Sequence, residues 1–485
     1  MKQFKNVLMI AVDDLRPEIN CFGKRKLHTP NLDRLASGGL QLDHAYCQIP
    51  LCMPSRASLM SGIRPDERQL SHIPRICVNG EPSLPGYLKQ NGFTTISIGK
   101  VYHFNNDDEP SWTRRYRDTF YEKDYTCDGY CSGYQLEENK RRIRNFRKQW
   151  SPGDEPCELP AICESADAPE SDYPDGMVAD RAIEVMRTLR TDEGAFFLAV
   201  GFYRPHLPWA MPAKYWDLYQ RDEVDLASNP FLPENGVGIS DLSDFLHYGD
   251  EVINHTYSDL GRYDRDTFPV LSEDKQRECV HGYWASVSFT DAQIGKVLAE
   301  LERLGLQDDT AIVLWGDNGW HLGEHRLWSK VSSFEESTRV PMIVSVPGVT
   351  TGERSSALVE LADVYPTICE LVGLDAPSHL EGTSLVPLVE DPQRSWKTGI
   401  LSRIGDAETL RTDRYRFTRY SKATPDGDRQ HLPGSGTFEL FDLQSDPGEN
   451  INVAEHPDFV EVVEEMDRLL TSGWRALVPD QDSRT

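Results

Sequence analysis

The sequence predicts an α/β fold in which helices sandwich a large mixed, mostly parallel sheet, followed by a small C-terminal α+β subdomain with an antiparallel sheet. Buried-strand patterns alternate with amphipathic helix patterns over most of the chain, which is typical of a parallel sheet covered on both faces. Beyond about residue 396, short strand patterns separated by Gly, Asp and Pro turns replace this alternation. The chain has 485 residues, 39% apolar and 27% charged, which is enough for a large buried core.

The elements of the large unit follow from hydrophobic periodicity and from helix start and stop signals. Apolar runs predict strands at 6–12, 94–98, 196–200, 310–315 and 342–346. Thr29-Pro30 supplies an N-cap and a proline at the first helical position, so a helix begins there and ends before Gly38-Gly39. Further helices are predicted at 84–90, at 177–189, at 273–304 with a break near its middle, and at 361–374, where Pro366 marks a break or a helix start.

The last part of the chain has a different pattern of elements. Strands are predicted at 398–403, 415–420 and 437–441, and a helix at 457–470. We therefore divide the chain into a catalytic unit at 1–395 and a C-terminal subdomain at 396–485. Two long polar insertions, about 104–175 and 221–270, interrupt the first unit. Loops of this length are usually functional or substrate-shaping, and plain surface embellishment is the alternative.

The charge balance restricts the classes of partner. Lys and Arg total 51, Asp and Glu total 78, and the net charge is −27. A protein that binds mainly nucleic acid or an anionic membrane surface needs clustered cations, so neither is expected as a partner. A local cationic pocket for a small anionic substrate remains compatible with this balance.

The N-terminus and the apolar runs bear on localisation. No run approaches the roughly 20 apolar residues of a membrane span. The apolar run at 7–12 is too short for a secretory signal and ends in Asp13-Asp14, so we interpret it as a first core strand. The chain is thus expected to be cytoplasmic, or periplasmic or secreted if a leader has been removed.

Four of the ten cysteines lie in one irregular region. Cys127 and Cys131 are separated by three residues, and Cys157 and Cys163 by five. A zinc site is conceivable, but no tight Cys-x2-Cys pair is present. One disulfide or ordinary buried thiols are the favoured interpretation.

Ionisable or amide side chains directly follow four of the predicted strands. They are Asp13 and Asp14 after 6–12, Lys100 and His103 after 94–98, His206 after 196–200, and Asp317 and Asn318 after 310–315. In open α/β sheets, ligands bind at the carboxyl ends of the strands. Four strands with this feature predict one shared site.

The acids and the amide in this set suggest a metal. Asp13, Asp14, Asp317 and Asn318 all offer oxygen ligands, which hard cations such as Ca²⁺ or Mg²⁺ prefer. For Asp13-Asp14 alone, a turn or a helix cap would be the simpler interpretation. The matching position of Asp317-Asn318 favours the metal.

A second cluster, Cys52-Met53-Pro54-Ser55-Arg56, has the pattern of a helix start. Pro54 suits the first turn of a helix that runs to about Met60, which places Cys52 at the helix N-terminus, where anionic groups are favoured. From the residues alone, Cys52 is either a low-pKa nucleophile or a buried structural thiol.

This segment resembles the Cys-x-Pro-Ser-Arg signature of type I sulfatases, in which the cysteine is oxidised to formylglycine. The resemblance extends over residues 52–62 and about 5–350 of the chain, and includes the segments Val12-Asp13-Asp14, Ile98-Gly99-Lys100-Val101-Tyr102-His103, Arg204-Pro205-His206 and Gly316-Asp317-Asn318-Gly319. Within the family, the chain is most similar to the iduronate-2-sulfatase branch, through Asp13-Asp14-Leu15-Arg16-Pro17, residues 319–325 and Trp328-Ser329-Lys330. The resemblance implies the fold of the alkaline phosphatase superfamily.

The resemblance also implies an activity and a role for each site residue. The chain is expected to be a sulfuric ester hydrolase that acts on a sulfated carbohydrate, as an exo-acting 2-O-sulfatase on a uronic acid or related sugar, after a maturation enzyme has converted Cys52 to formylglycine. Ca²⁺, with Mg²⁺ as the alternative, would be held by Asp13, Asp14, Asp317 and Asn318, next to the residue at position 52. Arg56 would hold the nucleophile, Lys100 and Lys330 would donate to sulfate oxygens, His206 would protonate the leaving oxygen, and His103 would act as the base that regenerates the aldehyde.

Two positions depart from the branch pattern. Asn318 stands where the branch often has histidine, and it remains a good oxygen ligand. His321 stands where the branch tends to have a small residue, so the substrate pocket is expected to differ. His321 is a candidate for substrate contact, and a structural role is the alternative that we favour.

Two rival functions stay open. A phosphonate or phosphate monoester hydrolase on the same scaffold would share the metal and the nucleophile, and the rates on aryl sulfates and aryl phosphates would separate the two. A non-catalytic binder of sulfated glycans would keep Cys52 as a thiol. The intact set of motifs argues against the binder.

Overall fold

The fold is described from a computed structural model of the chain. It covers residues 3–24, 26–65, 80–103, 107–116, 133–142, 160–189, 194–236, 271–405, 407–420, 422–423, 429–430 and 438–478. None of the helices in these ranges is both long enough and apolar enough to cross a membrane.

The strands of the described ranges form one large sheet, one smaller sheet and three two-stranded ribbons. In chain order they are β1 (Asn6–Val12), β2 (Leu40–Tyr46), β3 (Thr94–Gly99), β4 (Arg114–Tyr116), β5 (Cys163–Ala166), β6 (Phe196–Phe202), β7 (Trp209–Pro212), β8 (Thr310–Gly316), β9 (His321–Leu322), β10 (Trp328–Ser329), β11 (Arg339–Ser345), β12 (Glu353–Glu360), β13 (Gly399–Ile404), β14 (Ala407–Thr412), β15 (Tyr415–Tyr420), β16 (Lys422–Ala423), β17 (Arg429–Gln430) and β18 (Phe438–Asp442).

The α-helices of the same ranges connect and cover these strands. They are α1 (Pro30–Ser37), α2 (Cys52–Ser61), α3 (Leu84–Gln90), α4 (Pro174–Leu189), α5 (Ala213–Trp216), α6 (Glu273–Arg303), α7 (Glu335–Thr338), α8 (Val364–Leu371), α9 (Val386–Glu390) and α10 (Val460–Ser472). Short 3₁₀ turns precede two of them, Leu361–Asp363 before α8 and Pro457–Phe459 before α10.

The large sheet is mixed and mostly parallel. Within the described residues its strand order is β12-β2-β11-β8-β1-β6-β3-β4. β1 is parallel to both neighbours, β8 and β6, whereas β11 is antiparallel to β2 and β8. The four central strands β8, β1, β6 and β3 run side by side in the same direction, so their carboxyl ends meet at one edge.

Helices bury both faces of this sheet. Side chains along a strand point alternately to opposite faces, and Leu8 and Ile10 of β1 belong to one apolar cluster while Val7 and Met9 belong to the other. Helices α1, α4 and α6 pack in the first cluster, and α2, α3 and α8 in the second. Burial on both faces explains why every residue of β1 after Asn6 is apolar, and the predicted fold class is confirmed.

The C-terminal sheet is antiparallel, with the order β13-β14-β15-β18 in the described ranges. Leu410, Phe417 and Leu440 from its strands pack with Met466 and Leu470 of α10. The division of the chain between residues 395 and 396 stays a prediction.

Ten strands of the described ranges are absent from the sequence prediction, and the longest of them are β2, β12 and β14. β2 has two partly exposed polar residues, Asp43 and His44, and β12 is an edge strand with the polar sequence ERSSALVE. Neither strand has the continuous apolar run that indicates a buried strand. β14 alternates polar and apolar side chains only weakly.

The predicted break in the long helix is wrong. α6 runs unbroken from Glu273 to Arg303. Neighbouring elements come very close to the backbone of this helix at two glycines. A Cβ on Gly282 would lie 2.6 Å from the Cys163 sulfur, and a Cβ on Gly295 would lie 2.2 Å from Asn31 Oδ1. These glycines therefore allow neighbouring elements to approach the helix.

Parts of both predicted insertions, 104–175 and 221–270, lie outside the described residues, as do Cys127, Cys131 and Cys157. Cys163 lies in β5, where its thiol donates to the Glu278 carbonyl at 3.6 Å. The choice between zinc, disulfide and buried thiols for these cysteines stays a prediction.

Candidate active site

The carboxyl-terminal edge of the four central strands brings the predicted residues together. Asp13 and Asp14 follow β1, and Asp317 and Asn318 follow the adjacent β8. Lys100 and His103 follow β3, and His206 lies in the loop after β6. All of them are buried except His103, which is partly exposed.

The turn after β1 positions two consecutive carboxylates. The backbone N–H of Asp13 donates to the Phe202 carbonyl at 3.2 Å. Asp14 has a left-handed backbone, with φ of 58°, which aspartate tolerates better than most residues. Its N–H donates to Asp317 Oδ1 at 2.9 Å, and its carbonyl accepts from the Tyr283 hydroxyl at 2.8 Å. These contacts fix the turn against β6, β8 and α6.

A four-residue cluster of candidate ligands lies at this turn. One ligand atom each from Asp13, Asp14, Cys52 and Asp317 all lie within 4.8 Å of one another. Asn318 adjoins them, since its Nδ2 donates to Asp14 Oδ1 at 2.8 Å. The structure therefore joins residues that are far apart in the sequence, such as Asp14 and Asp317, which are separated by 303 positions.

Two buried oxygens in this cluster lack a hydrogen-bond partner, Asp14 Oδ2 and Asn318 Oδ1. Buried polar atoms in native proteins are nearly always satisfied by protein, water or an ion. A divalent cation bound by carboxylate and amide oxygens would satisfy both atoms. The donor set at this edge therefore fits a hard metal ion.

Three cations enter the same cluster. Lys100 Nζ contacts Asp13, Lys330 Nζ contacts Asp14, and Arg56 Nε donates to Asp317 Oδ2 at 2.7 Å. Arg56 Nη2 also reaches Asp13 Oδ1 at 3.2 Å, and its Nη1 donates to the Lys100 and Val101 carbonyls. Burial alone would raise the pKa of Asp13, but Lys100 and His206 outweigh it and hold the pKa well below its usual range. Lys330 and His206 likewise lower the pKa of Asp14 against the effect of burial.

Cys52 is the first residue of α2 and is almost fully buried. Its thiol lies 3.5 Å from Asp14 Oδ1, and Lys330 Nζ lies 2.6 Å from its sulfur. Burial, followed by the charges of Asp13 and Asp14, raises the pKa of the Cys52 thiol well above its usual value. The unmodified side chain is thus a protonated thiol at neutral pH, which disfavours a thiolate nucleophile.

The loop that carries His206 is held by hydrogen bonds from three directions. Asp175 of α4 accepts from the backbone N–H groups of Tyr203 and Arg204, at 2.6 and 3.0 Å. Thr290 of α6 donates to the Arg204 carbonyl at 3.1 Å, and Arg204 Nη1 donates to the His206 carbonyl at 3.0 Å. Asp175 and Thr290 were not predicted from the sequence, because each acts on backbone groups of a remote segment.

The two histidines at the site are neutral at neutral pH. The carbonyl of Leu207 accepts from His206 Nδ1 at 2.7 Å, which leaves Nε2 facing Asp14 Oδ2 at 3.8 Å. Burial and the charge of Lys100, against the opposing charge of Asp14, lower the pKa of His206 to about 4. Burial, Lys100 and Arg56 lower the pKa of His103 to about 2.

His321 lies apart from this cluster. It is fully buried, its Nε2 is 2.7 Å from Ser332 Oγ, and its ring packs edge-on against Phe334. Trp320, the residue before it, lies under the ammonium of Lys330, 5.7 Å from the ring centroid. The substrate role considered for His321 stays a prediction.

Comparison with known proteins identifies the family. The sequence model of the sulfatase family matches residues 5–374, which is more than half of the chain. The chain belongs to the sulfatase family. It is therefore a sulfuric ester hydrolase, as predicted. A second family model, that of the N-sulphoglucosamine sulphohydrolase C-terminal region, matches residues 323–475.

Individual relatives of this sulfatase point to the predicted branch. Iduronate 2-sulfatase of Mus musculus is 32% identical over 403 residues, which cover 77% of this chain and 69% of the relative. A sulfatase of Formosa agariphila is 30% identical over 482 residues, which cover 96% of this chain and 86% of the relative. The structure of BT4656 in complex with its substrate D-glucosamine-2-N,6-O-disulfate is 20% identical, with a TM-score of 0.72 over the full length of both chains. The iduronate-2-sulfatase-like branch and the sulfatase fold are thus confirmed.

Proposed function

We propose that this sulfatase hydrolyses a sulfate ester of a carbohydrate with a formylglycine formed from Cys52 and a bound divalent cation. One observation carries the proposal: Cys52, Asp13, Asp14 and Asp317 converge within 4.8 Å. A cysteine that is buried only for packing is not expected to have three carboxylates and a lysine around it. A maturation enzyme that generates formylglycine is the partner this modification requires.

The cation would be held by Asp13, Asp14, Asp317 and Asn318. Their oxygen donors favour Ca²⁺, with Mg²⁺ as the alternative. When bound, such an ion neutralises sulfate oxygens and lowers the pKa of a neighbouring hydroxyl nucleophile.

Three cationic side chains lie around position 52. Lys330, which contacts Cys52 and Asp14, and Lys100, which contacts Asp13, are placed to donate to sulfate oxygens. Arg56, fully buried between Asp13 and Asp317, holds the start of α2 in place. These three cations would stabilise the negative charge that develops in the transition state.

The histidines are the proposed proton carriers. His206 would donate to the leaving oxygen through Nε2, because Nδ1 is committed to the Leu207 carbonyl. Since His206 is neutral in the free protein, the donor form requires that the bound anionic ester raise its pKa. His103 has a pKa low enough to remain a neutral proton acceptor, which suits the base that regenerates the aldehyde.

The substrate class is proposed from the relatives. Iduronate 2-sulfatase shares 32% identity over 77% of the chain, which supports an exo-acting 2-O-sulfatase on a uronic acid or related sugar. A panel of sulfated disaccharides, with the sulfate at different positions, would identify the sugar.

The modification is tested by mass spectrometry of the tryptic peptide 35–56, which carries both Cys47 and Cys52. In protein produced with the maturation enzyme, we expect an aldehyde that fragment ions place at position 52. The variant Cys52→Ala should lose hydrolysis of 4-nitrophenyl sulfate, whereas the control Cys21→Ser should retain it. An unmodified thiol in a fully active preparation would contradict the proposed nucleophile. Faster hydrolysis of 4-nitrophenyl phosphate than of the sulfate would favour the phosphate ester rival.

A further inference from the structure

A second group of candidate ligands lies where the large unit meets the C-terminal sheet. One ring nitrogen of His325 and one carboxylate oxygen from each of Glu336 and Glu449 lie within 4.8 Å of one another. His325 and Glu336 belong to the segment between β8 and β11, and Glu449 belongs to the loop after β18. None of the three takes part in the site around Cys52.

Two buried atoms of this group, His325 Nδ1 and Glu336 Oε2, have no hydrogen-bond partner among the described residues. The His325 side chain is fully buried and stacks on Phe334 at 4.1 Å. An unsatisfied buried polar atom is destabilising, so native proteins usually supply a partner. Two such atoms in one group of candidate ligands favour a bound partner that contacts both.

The surrounding ion pairs leave one carboxylate without a countercharge. Arg16 pairs with Glu324 at 2.9 Å, and Arg416 contacts Glu449 through Nε. Among the residues that the structure describes, no cation is paired with Glu336. Burial, followed by the carboxylates of Glu449 and Glu324, outweighs the charge of Arg16 and raises the pKa of Glu336 to about 8. A bound divalent cation would lower this pKa and keep the carboxylate ionised.

A cavity leads to this carboxylate. Its volume is about 340 Å³, and its lining includes Glu18, Asp225, Glu324 and Glu336 together with Arg16 and Lys24. The acidic lining would attract a cation, and the volume is ample for a hydrated ion.

We propose that His325, Glu336 and Glu449 bind a divalent cation of the Zn²⁺ class, at a site separate from the one at Cys52. The imidazole ligand is the reason for this class, because Ca²⁺ and Mg²⁺ prefer oxygen donors alone. Such an ion would join the Lys330-bearing segment to the loop after β18.

The first test is isothermal titration with ZnCl₂ of protein saturated with Ca²⁺, which occupies the oxygen-rich site. Glu336→Gln keeps the shape and removes the charge, so it should fold. The control Glu370→Gln removes an exposed carboxylate from α8, far from the cavity. We expect the wild type and E370Q to bind one more Zn²⁺ per chain than E336Q binds. Equal Zn²⁺ stoichiometry in all three proteins would overturn the proposal.

The second test does not depend on a variant. Crystals of the wild-type protein soaked in ZnCl₂ should show an anomalous difference peak at the zinc edge between His325 and Glu336. Anomalous density confined to other positions would overturn the proposal, whatever the variants do.

Discussion

At the scale of single residues, the active site is a balanced set of buried charges. Three carboxylates, from Asp13, Asp14 and Asp317, face three cations, from Lys100, Lys330 and Arg56. A buried charge is tolerated when it is paired and hydrogen-bonded, so each of these groups is stabilised by its partners of opposite charge. Five of the six were predicted from local patterns, the strand ends and the Cys-x-Pro-Ser-Arg segment, whereas Lys330 was predicted only through the family resemblance. Asp175, Thr290 and the group around His325 carry no local signal, because their partners are remote backbone groups or remote side chains.

Asp175 is expected to act as a positioning residue for His206. In Asp175→Asn one of the two carboxylate oxygens becomes an NH₂ group, which cannot accept from the Tyr203 or the Arg204 N–H. The His206 loop should shift, and kcat should fall by about 10²-fold for phenyl sulfate, which has a poor leaving group. The fall should be smaller for 4-nitrophenyl sulfate, because its better leaving group needs less protonation.

The exposed residue Asp180 of the same helix provides a control for this prediction. Asp180→Asn should have wild-type kcat on both esters. An equal loss on the two esters in D175N would show that Asp175 affects the fold of the site in general and not the proton donor.

At the scale of elements, a side chain of helix α6 supplies the N-terminal cap of α1, which the sequence assigned to Thr29. The Thr29 side chain makes no capping hydrogen bond to α1. Asp291 of α6 takes its place and accepts from the backbone N–H groups of Leu32 and Asn31 at 2.7 and 3.1 Å. Thr29-Pro30 correctly marked the start of α1, but the sequence could not show that its cap comes from a helix some 260 positions away.

Removal of this cap should weaken the packing of α1 on α6. Asp291→Ala leaves two buried N–H groups unsatisfied, and we expect the free energy of unfolding to fall by about 2 kcal/mol. Urea unfolding followed by circular dichroism would measure the change. Asp274→Ala, an exposed change in the first turn of α6, should alter stability by less than about 1 kcal/mol. A D291A protein as stable as D274A would contradict the role of Asp291.

Burial on both faces made the central strands predictable from the sequence, and the lack of a continuous apolar run hid β2 and β12. β1, β6 and β8 are covered on both faces and have seven consecutive buried residues each. β12 lies at the sheet edge, where polar side chains reach water, so its pattern resembles that of a loop. The position of a strand in the sheet decides whether its sequence has a recognisable apolar pattern, and that position depends on the whole fold.

At the scale of the whole molecule, buried ion pairs join the large unit to the C-terminal sheet. Glu360, at the end of β12, accepts from both Nη atoms of Arg64 at 2.5 Å and from Lys397 at 2.8 Å. Lys397 also contacts Asp363 and lies shortly before β13, from which Thr398 separates it. These charged side chains are buried, and only Arg64 is partly exposed. An unpaired buried charge is strongly destabilising, so these ion pairs stabilise the contact between the large unit and the C-terminal sheet.

The junction should make the protein sensitive to acid. Although burial opposes it, Arg64 and Lys397 lower the pKa of Glu360 from about 4.5 to about 2 in the folded state. The folded state therefore binds this proton more weakly than the unfolded chain does. The ionised carboxylate stabilises the fold above about pH 4.5, and this stabilisation is lost as the pH falls towards 2.

The variant Glu360→Gln tests the junction. At pH 7 it should lose about 3 kcal/mol of stability, because Arg64 and Lys397 are left poorly paired. Between pH 4.5 and 2 its stability should decline less steeply than that of the wild type. Thermal unfolding across this pH range would measure both effects, and parallel curves for the two proteins would contradict the assignment to Glu360.

The adjacency of β1 and β8 has a consequence for folding kinetics. Asp14 and Asp317 meet across neighbouring strands but are 303 positions apart, so the cation pocket forms only after a very long loop has closed. If the pocket holds Ca²⁺ as proposed, the ion is expected to bind only after the main folding barrier has been crossed. Stopped-flow measurements should show that Ca²⁺ slows unfolding and leaves the refolding rate unchanged. During synthesis, likewise, a chain that has not yet extended past Asp317 would have no means of holding the ion.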